Sequence, residues 1–238
     1  MSIQISYSKS INKSSGNIVL FVDDKFSCNN IKKYITSFEF SYIKDLLKSC
    51  DLKKNIFVFE LNSKRKIVLI SIKKNIKSFD IENLGAEFYG RINSDKKSHY
   101  NLNSDTIIGK QENFIGHFLH GLKLKSYDFK KYKSKKNNKI ISIEVLGVKN
   151  KPSANSQLKF KALEEGTFFA RDLVSEPGNV LHPDEYAKRL NYLKKFGLRV
   201  TIYDKKKLKK LGMNALLGVG MGSVRGSYLV TLEWNGLK

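Results

Sequence analysis

A chain of 238 residues suits one or two domains, and at this size folding removes about 70–75% of the unfolded chain's surface from water. Hydrophobic residues make up 41% and charged residues 28%, near globular averages, which excludes general disorder; no apolar run approaches the ~18 residues of a membrane-crossing helix. The net charge of +22 raises the question of polyanion binding, yet only six of the 44 basic residues are arginine, so the planar fork suited to phosphates and guanine edges is scarce.

The opening residues, Met1-Ser-Ile-Gln-Ile-Ser-Tyr-Ser-Lys9, lack the basic patch, apolar stretch and small-residue cleavage site of a secretory signal, so a cytoplasmic location is expected. Cys28 and Cys50 are too few for a disulfide framework and are not spaced as CxxC, which leaves them packing roles. Over the first ~150 residues, short strand-like runs alternate with helical patterns, the α/β arrangement. Asn17 to Val22, Ile56 to Leu61 and Lys66 to Ile72 are apolar, β-branched and of strand length, and their near-continuous apolar character predicts cover on both faces. Between the first two, Tyr42, Ile43, Leu46 and Leu47 recur at helical spacing. Ile81, Leu84, Gly85, Phe88 and Ile92 form another helical stripe, and Phe114, Ile115, Phe118, Leu119 and Leu122 a third. His117 and His120 share that third helix, but two histidines without a further ligand make a poor zinc site, and packing is the expected role.

Lysines crowd positions 130–139, and self-repulsion there predicts a solvated loop. If any part of the chain touches a polyanion, Lys130, Lys131, Lys133, Lys135 and Lys136 are the residues expected to do so, weakly and without sequence preference. Tyr127, Phe129 and Tyr132 beside them invite a base-stacking reading, but packing of the helix end onto the domain is preferred. Ile140 to Leu146 is the next strand. The Gly, Pro and Ser of 147–155 read as a linker, which divides the chain into an N-terminal α/β domain, residues 1–150, and a second segment, residues 151–238.

In that second segment, Leu158, Ala162, Gly166, Phe169 and Leu173 predict the buried stripe of a long helix ended by Pro177-Gly178. Pro183 suits a first helical turn, with Asp184 and Glu185 at the positive end of the dipole, and Tyr186, Ala187, Leu190 and Leu193 are the expected buried face. A strand through Leu198, Val200 and Ile202, a short lysine-rich helix capped by Asp204 and closed by Gly212, and a strand from Tyr228 to Trp234 follow. Gly218, Gly220 and Gly222 form GxGxG, but they lead toward a strand and lack the strand-to-helix setting of a dinucleotide fingerprint. Ser223 has no nucleophile-elbow flanks. Asp172, Glu176, Asp184 and Glu185 could be imagined as a metal cluster; solvated or helix-capping roles are favoured.

Three separated blocks carry a resemblance: Tyr127-x-Phe129-x-x-Tyr132-Lys133, the run Ala170-Arg-Asp-Leu-Val-Ser-Glu-Pro-Gly-Asn-Val-Leu-His-Pro-Asp-Glu-Tyr-Ala187, and Leu211-Gly-Met-Asn-Ala-Leu-Leu-Gly-Val-Gly-Met-Gly-Ser-Val-Arg-Gly-Ser227. Together they resemble the leucyl (cytosol) aminopeptidases, two-metal exopeptidases. The resemblance implies a macro-domain-like N-terminal mixed sheet with flanking helices, then the connecting helix and the opening of an α/β metallopeptidase domain. Full-length members hold two divalent metal ions, manganese or zinc, act on peptides and assemble as hexamers. Their Gly-Lys-Gly-x-Thr-Phe-Asp-x-Gly-Gly and Asn-Thr-Asp-Ala-Glu-Gly-Arg segments, which supply metal ligands and catalytic residues, have no counterpart among these residues. No catalytic or metal-binding residue of the family is therefore transferred to any position, and the 238 residues alone are expected to be inactive. The competing expectation is a basic module that binds nucleic acid or a partner through the N-terminal domain.

Overall fold

The computed structural model describes residues 2–9, 16–94, 98–109, 111–134 and 140–236. Its strands and helices are β1 (Ser2–Ser8), β2 (Asn17–Asp23), α1 (Ser37–Lys48), β3 (Ile56–Asn62), β4 (Arg65–Ile72), α2 (Ser78–Ile92), β5 (Ser98–Asn103), α3 (Phe114–Lys125), β6 (Ile140–Leu146), α4 (Ala154–Ser175), α5 (Pro183–Asn191), β7 (Arg199–Tyr203), α6 (Lys205–Lys210), α7 (Asn214–Val219) and β8 (Leu229–Glu233). The residues fall into two compact units, Met1–Phe168 and Phe169–Lys238.

The first unit is built on a mixed sheet of order β1-β6-β5-β2-β4-β3, parallel except where β3 runs against β4. Successive side chains on a strand point to opposite faces, so β2 supplies two cores at once. Val19 and Phe21 join Val68 and Ile70 of β4 beneath α2 and α3, while Ile18, Leu20 and Val22 join Ile67 and Leu69 beneath α1 and the 3-10 turn Asn29–Tyr34. This is why the two central apolar runs show no alternation. At the sheet edge, β3 keeps only part of that cover, with Glu60 exposed and Phe57 and Val58 half-buried.

Two strands lie where the apolar pattern predicts none. β1 alternates Ile3, Ile5 and Tyr7 with polar residues and pairs in parallel with β6, Ser2 opposite Ile140 through Ser8 opposite Leu146. β5 reads Ser-His-Tyr-Asn-Leu-Asn, and its Asn101 and Asn103 are buried beside Tyr100 and Leu102.

Helices α2 and α3 pack closely because each presents a glycine to the other's backbone. A Cβ at Gly85 would overlap the Phe118 carbonyl, and one at Gly121 would overlap the Glu82 carbonyl. Phe118 then reaches Phe21, Phe88 and Phe114 at ring separations of 5.6, 5.7 and 6.3 Å. All five residues of the stripe predicted for α3 are buried, as are all five for α2. In α1 the stripe is narrower than expected: Ile43 and Leu47 are buried, Leu46 is half-buried and Tyr42 is exposed.

A capping box starts α1, Thr36 Oγ1 accepting from Glu39 N while the Glu39 carboxylate accepts from Thr36 N at 2.8 Å. Glu39 is also the acceptor for Arg65 Nε at 2.5 Å, and both side chains are nearly buried, 9% and 12% exposed. Burial alone would raise the Glu39 pKa; the Arg65 guanidinium and the Thr36 amide outweigh it and hold the carboxyl below its usual range.

Residues 147–155 do less as a spacer than their composition implies. The Asp105 carboxylate accepts from Val148 N and Lys149 N at 3.0 and 2.7 Å, and Ser104 Oγ donates to the Leu146 and Lys149 carbonyls, which ties 147–149 to the end of β5. Gly147, at φ 110°, suits this crowded turn because a Cβ would meet Asp105 and Ser104. The first turns of α4 continue within the first unit.

The face of α4 that makes these contacts differs from the predicted one. Leu158 is 65% exposed, and Ala162 and Gly166 are exposed too. Phe160, Glu164 and Phe168, spaced by four, instead meet His117 and His120, Lys123, and Tyr127. The apolar-only reading missed this stripe because a glutamate sits in its middle, ion-paired to Lys123 at 2.8 Å.

The second unit has a slighter interior. β7 and β8 form an antiparallel pair, Arg199 opposite Glu233 through Tyr203 opposite Leu229. Ala187 and Leu190 of α5, Val200 of β7 and Leu208 of α6 are its buried apolar residues. Tyr186, predicted to be buried, is 42% exposed, and Leu193 is half-buried. The punctuation follows expectation: Pro183 opens α5, Asp204 accepts from Lys207 N at 2.9 Å to cap α6, and Gly197 and Gly212 take left-handed φ of 87° and 68°.

Candidate functional site

The chemistry-bearing residues of the second unit gather around the N-terminus of α5. His182 is the N-cap, its Nδ1 lying 3.4 Å from Glu185 N, 2.6 Å from Asp184 Oδ1 and 3.2 Å from Arg225 Nη1. Arg225 also donates to both Asp184 carboxylate oxygens, at 3.3 and 3.1 Å. Desolvation would raise the Asp184 pKa, but hydrogen bonds from its own amide and His182 and the charge of Arg225 bring it below the usual range.

On the same helix Arg189 bridges two carboxylates, donating to Glu176 at 2.9 Å and to Glu185 at 3.0 Å. The Glu176 side chain is 1% exposed, so its expected solvated role is corrected: it belongs to a buried ion pair that fixes the chain after α4 to α5. Its partner's hydrogen bonds raise the Arg189 pKa, the Glu176 contact being the largest contribution.

These contacts decide whether the carboxylates suit a metal. Glu176 and Glu185 converge on the Arg189 guanidinium, and Asp184 on that of Arg225, so the positive charge a divalent ion would supply is already in place. Among the described residues no group of three or more His, Cys, Asp or Glu side chains could hold a metal ion. The donor set fits a scaffold of arginine clamps rather than a metal centre.

Downstream, Gly218 lies in the last turn of α7, Gly220 is its C-cap and Gly222 follows, all ahead of β8. Gly220 is the crowded one, since a Cβ there would overlap Ser227 Oγ; Gly218 and Gly222 face open space. Ser223 Oγ accepts from Arg225 N at 3.1 Å, a turn contact that helps present Arg225 to Asp184.

In the first unit, Asp128 holds two lysines of the basic stretch, Lys130 at 3.0 Å and Lys133 at 3.3 Å. The bond from Lys130 pulls the Asp128 pKa down, and the same contact raises that of Lys130. Lys131 lies over the Tyr132 ring at 5.6 Å. Lys135 and Lys136 lie outside the described residues. Tyr127 packs on Phe168 at 5.3 Å and Phe129 on Tyr132 at 5.8 Å. His117 Nδ1 is 2.8 Å from Glu82, and Phe160 packs on both histidines of α3, so the pair serves packing.

With this geometry in place, comparison with known proteins is informative. The sequence profile described as "Cytosol aminopeptidase family, catalytic domain" matches residues 168–238, which include both arginine clamps and the glycine-rich turn. A probable cytosol aminopeptidase of Nitrobacter winogradskyi is 34% identical over 188 residues, 73% of this chain and 36% of that protein. The corresponding protein of Phytoplasma mali is 42% identical over 128 residues, 51% of this chain and 26% of that one. Among solved structures, a mutant of tomato leucine aminopeptidase superposes with a TM-score of 0.75 over 97% of this chain and 50% of its own, at 16% identity. The bottromycin maturation enzyme BotP in complex with Mn gives 0.68 over 93% and 46%, at 15% identity.

The fold is thus that of an α/β protein of the leucine aminopeptidase kind, with a parallel-dominated sheet flanked by helices. The chain belongs to the cytosol aminopeptidase family. It spans about a third of the Nitrobacter relative that it matches, 36% of that length.

Proposed function

We propose that these residues form the N-terminal domain and the opening of the catalytic domain of an aminopeptidase that removes N-terminal amino acids from peptides. The observation that carries this reading is the agreement of the catalytic-domain profile over 168–238 with the 34% identity to a probable cytosol aminopeptidase over 188 residues. In this reading residues 1–150 are the N-terminal α/β domain and 151–238 the connecting helix and first part of the catalytic domain. In this reading the enzyme works in the cytoplasm as a homo-oligomer, and the relatives' names support the compartment.

Two divalent ions, manganese or zinc, would polarise the peptide carbonyl and activate water in the complete enzyme. The role of the residues present here is structural positioning. The Arg189 and Arg225 clamps fix the chain between α4 and α5 and the turn before β8, and so hold the start of the domain on which that chemistry is built.

The test is hydrolysis of a leucine chromogenic amide by the purified 238-residue chain with added manganese. No turnover above buffer is expected, and turnover at a rate typical of enzymes, about 1 per second or faster, would show that a complete site is present. A paired measurement on a chimera, in which these residues replace the matching part of a cytosol aminopeptidase, should retain activity. An inactive but folded chimera would overturn the assignment to this activity.

A further inference from the structure

The two edges of the six-stranded sheet are built differently. β3, the edge strand on one side, carries an exposed Glu60 and a break in register between Glu60 and Asn62. Charge and irregularity of this kind keep an edge from pairing with a foreign strand. β1, the edge strand on the other side, has neither. Ser2-Ile-Gln-Ile-Ser-Tyr-Ser8 holds no charged residue and no proline in a chain of which 28% is charged, and its register with β6 is unbroken from Ser2 to Ser8. Because β1 pairs with β6 alone, part of its backbone N–H and C=O groups face outward without a neighbouring strand.

Along this strand, between β1, α3 and the first turns of α4, lies a groove of about 460 Å³. Ile5 and Tyr7 of β1, Leu119 of α3 and Ala154 and Leu158 of α4 line it, Leu158 with 65% of its surface exposed. A strand added beside β1 would stand about 4.8 Å away and lay every second side chain on the same face as Ile5 and Tyr7, toward this groove. A row of backbone donors and acceptors beside an apolar groove matches an extended polypeptide with apolar residues at alternate positions.

Charge narrows the partner. Just beyond the Ser8–Leu146 end of the β1–β6 pair stand Lys9 and Lys149, both exposed and without a carboxylate partner among the described residues. The Asp105 carboxylate near this end is engaged by Val148 N and Lys149 N. An acidic residue at the end of the added strand complements the two ammonium groups. A second copy of this chain, itself at +22, would bring like charge to the same place.

We propose that the free edge of β1 and the adjoining groove dock an extended segment of another protein, apolar at alternate positions and acidic at its end, which adds to the sheet as a further strand. This surface is independent of the proposed peptidase activity.

The test is titration of acetyl-Glu-Val-Ser-Val-Thr-Val-Glu-amide, whose blocked N-terminus denies an aminopeptidase its substrate, into the full 238-residue chain. Saturable binding is expected with a dissociation constant on the order of 100 μM, and amide exchange within residues 3–7 should slow at saturation. The reordered acetyl-Glu-Ser-Val-Val-Val-Thr-Glu-amide has the same charge and composition but cannot set three valines on one face, and it should bind about tenfold more weakly. Leu158→Lys places a charge at an exposed position in the groove and should weaken the first peptide by about tenfold at an unchanged melting temperature. Lys9→Glu combined with Lys149→Glu should weaken it as well. No slowing of exchange within residues 3–7, equal binding of the reordered peptide, or unchanged affinity in either variant would overturn the proposal. So would protection of residues 3–7 that rises with protein concentration in the absence of peptide, which would assign the edge to a second copy.

Discussion

The two units differ in how far each satisfies its own apolar residues. In the first, β2 and β4 are covered on both faces, and Phe21, Phe88, Phe114 and Phe118 are all fully buried. In the second, the buried apolar set is Ala187, Leu190, Val200 and Leu208, while Val219, Met221 and Val224 are 88%, 81% and 104% exposed and Trp234 is 67% exposed. Exposed apolar surface on this scale marks an interaction face or an aggregation liability. The contrast teaches that local signals such as caps, glycine stops and strand pairing can all be in place while the core that stabilises a domain is still slight. Clamps such as Glu176–Arg189 give the second unit definition, but they add little net stability beside packed apolar area.

Core truncation should break the contrast most sharply. Phe118→Ala removes the side chain at the centre of the first unit's aromatic cluster and should cost about 3–5 kcal/mol, read from urea unfolding. Leu190→Ala, at the 9% exposed position in the second unit, should cost about 2 kcal/mol and leave the first unit's transition in place. Amide exchange should rank the units the same way, β2 and β4 protected to the global limit and β7 and β8 opening earlier. Equal protection throughout would erase the distinction.

Between these two truncations in size is Glu39→Gln, which leaves the nearly buried Arg65 guanidinium without its counter-charge and should cost roughly 3 kcal/mol. Because the folded Glu39 pKa lies below its unfolded value, its contribution is present above the unfolded carboxylate pKa of about 4.3 and is lost as pH falls through the folded value. The wild-type chain should therefore lose first-unit stability on acidification in that window, and Glu39→Gln should flatten that part of the profile. The smallest effect belongs to the basic stretch. Replacing Lys130, Lys131 and Lys133 with glutamine should leave the urea unfolding midpoint almost unchanged, and retention on immobilised DNA should hardly change, since Asp128 already engages two of the three. A steep, salt-dependent loss of retention would revive the polyanion reading.

What was legible in the sequence follows from where single elements carry their own signal. The stripes of α2 and α3 and the runs of β2, β4 and β6 are apolar at regular intervals, and burial followed. β1 and β5 escaped because polar residues occupy half or more of their positions and the sheet, not the strand, decides their pairing. The face of α4 was misplaced because its contact stripe runs through Glu164, whose value depends on Lys123 of another helix. The α5 clamps were illegible for a related reason: Arg225 and His182 meet only after the chain has turned through β7, α6 and α7.

The pairing of β1 with β6 bears on how the protein emerges from the ribosome. Within this sheet the earliest strand must wait for the last, because Ser2 lies opposite Ile140. Until then β1 has no place to dock, and a nascent chain halted before β6 carries Ile3, Ile5 and Tyr7 as an unpaired ribbon. Such long-range closure is slow and leaves partly made sheets open to intermolecular pairing. The alternating serines and glutamine of β1 keep that ribbon polar on one side during the wait.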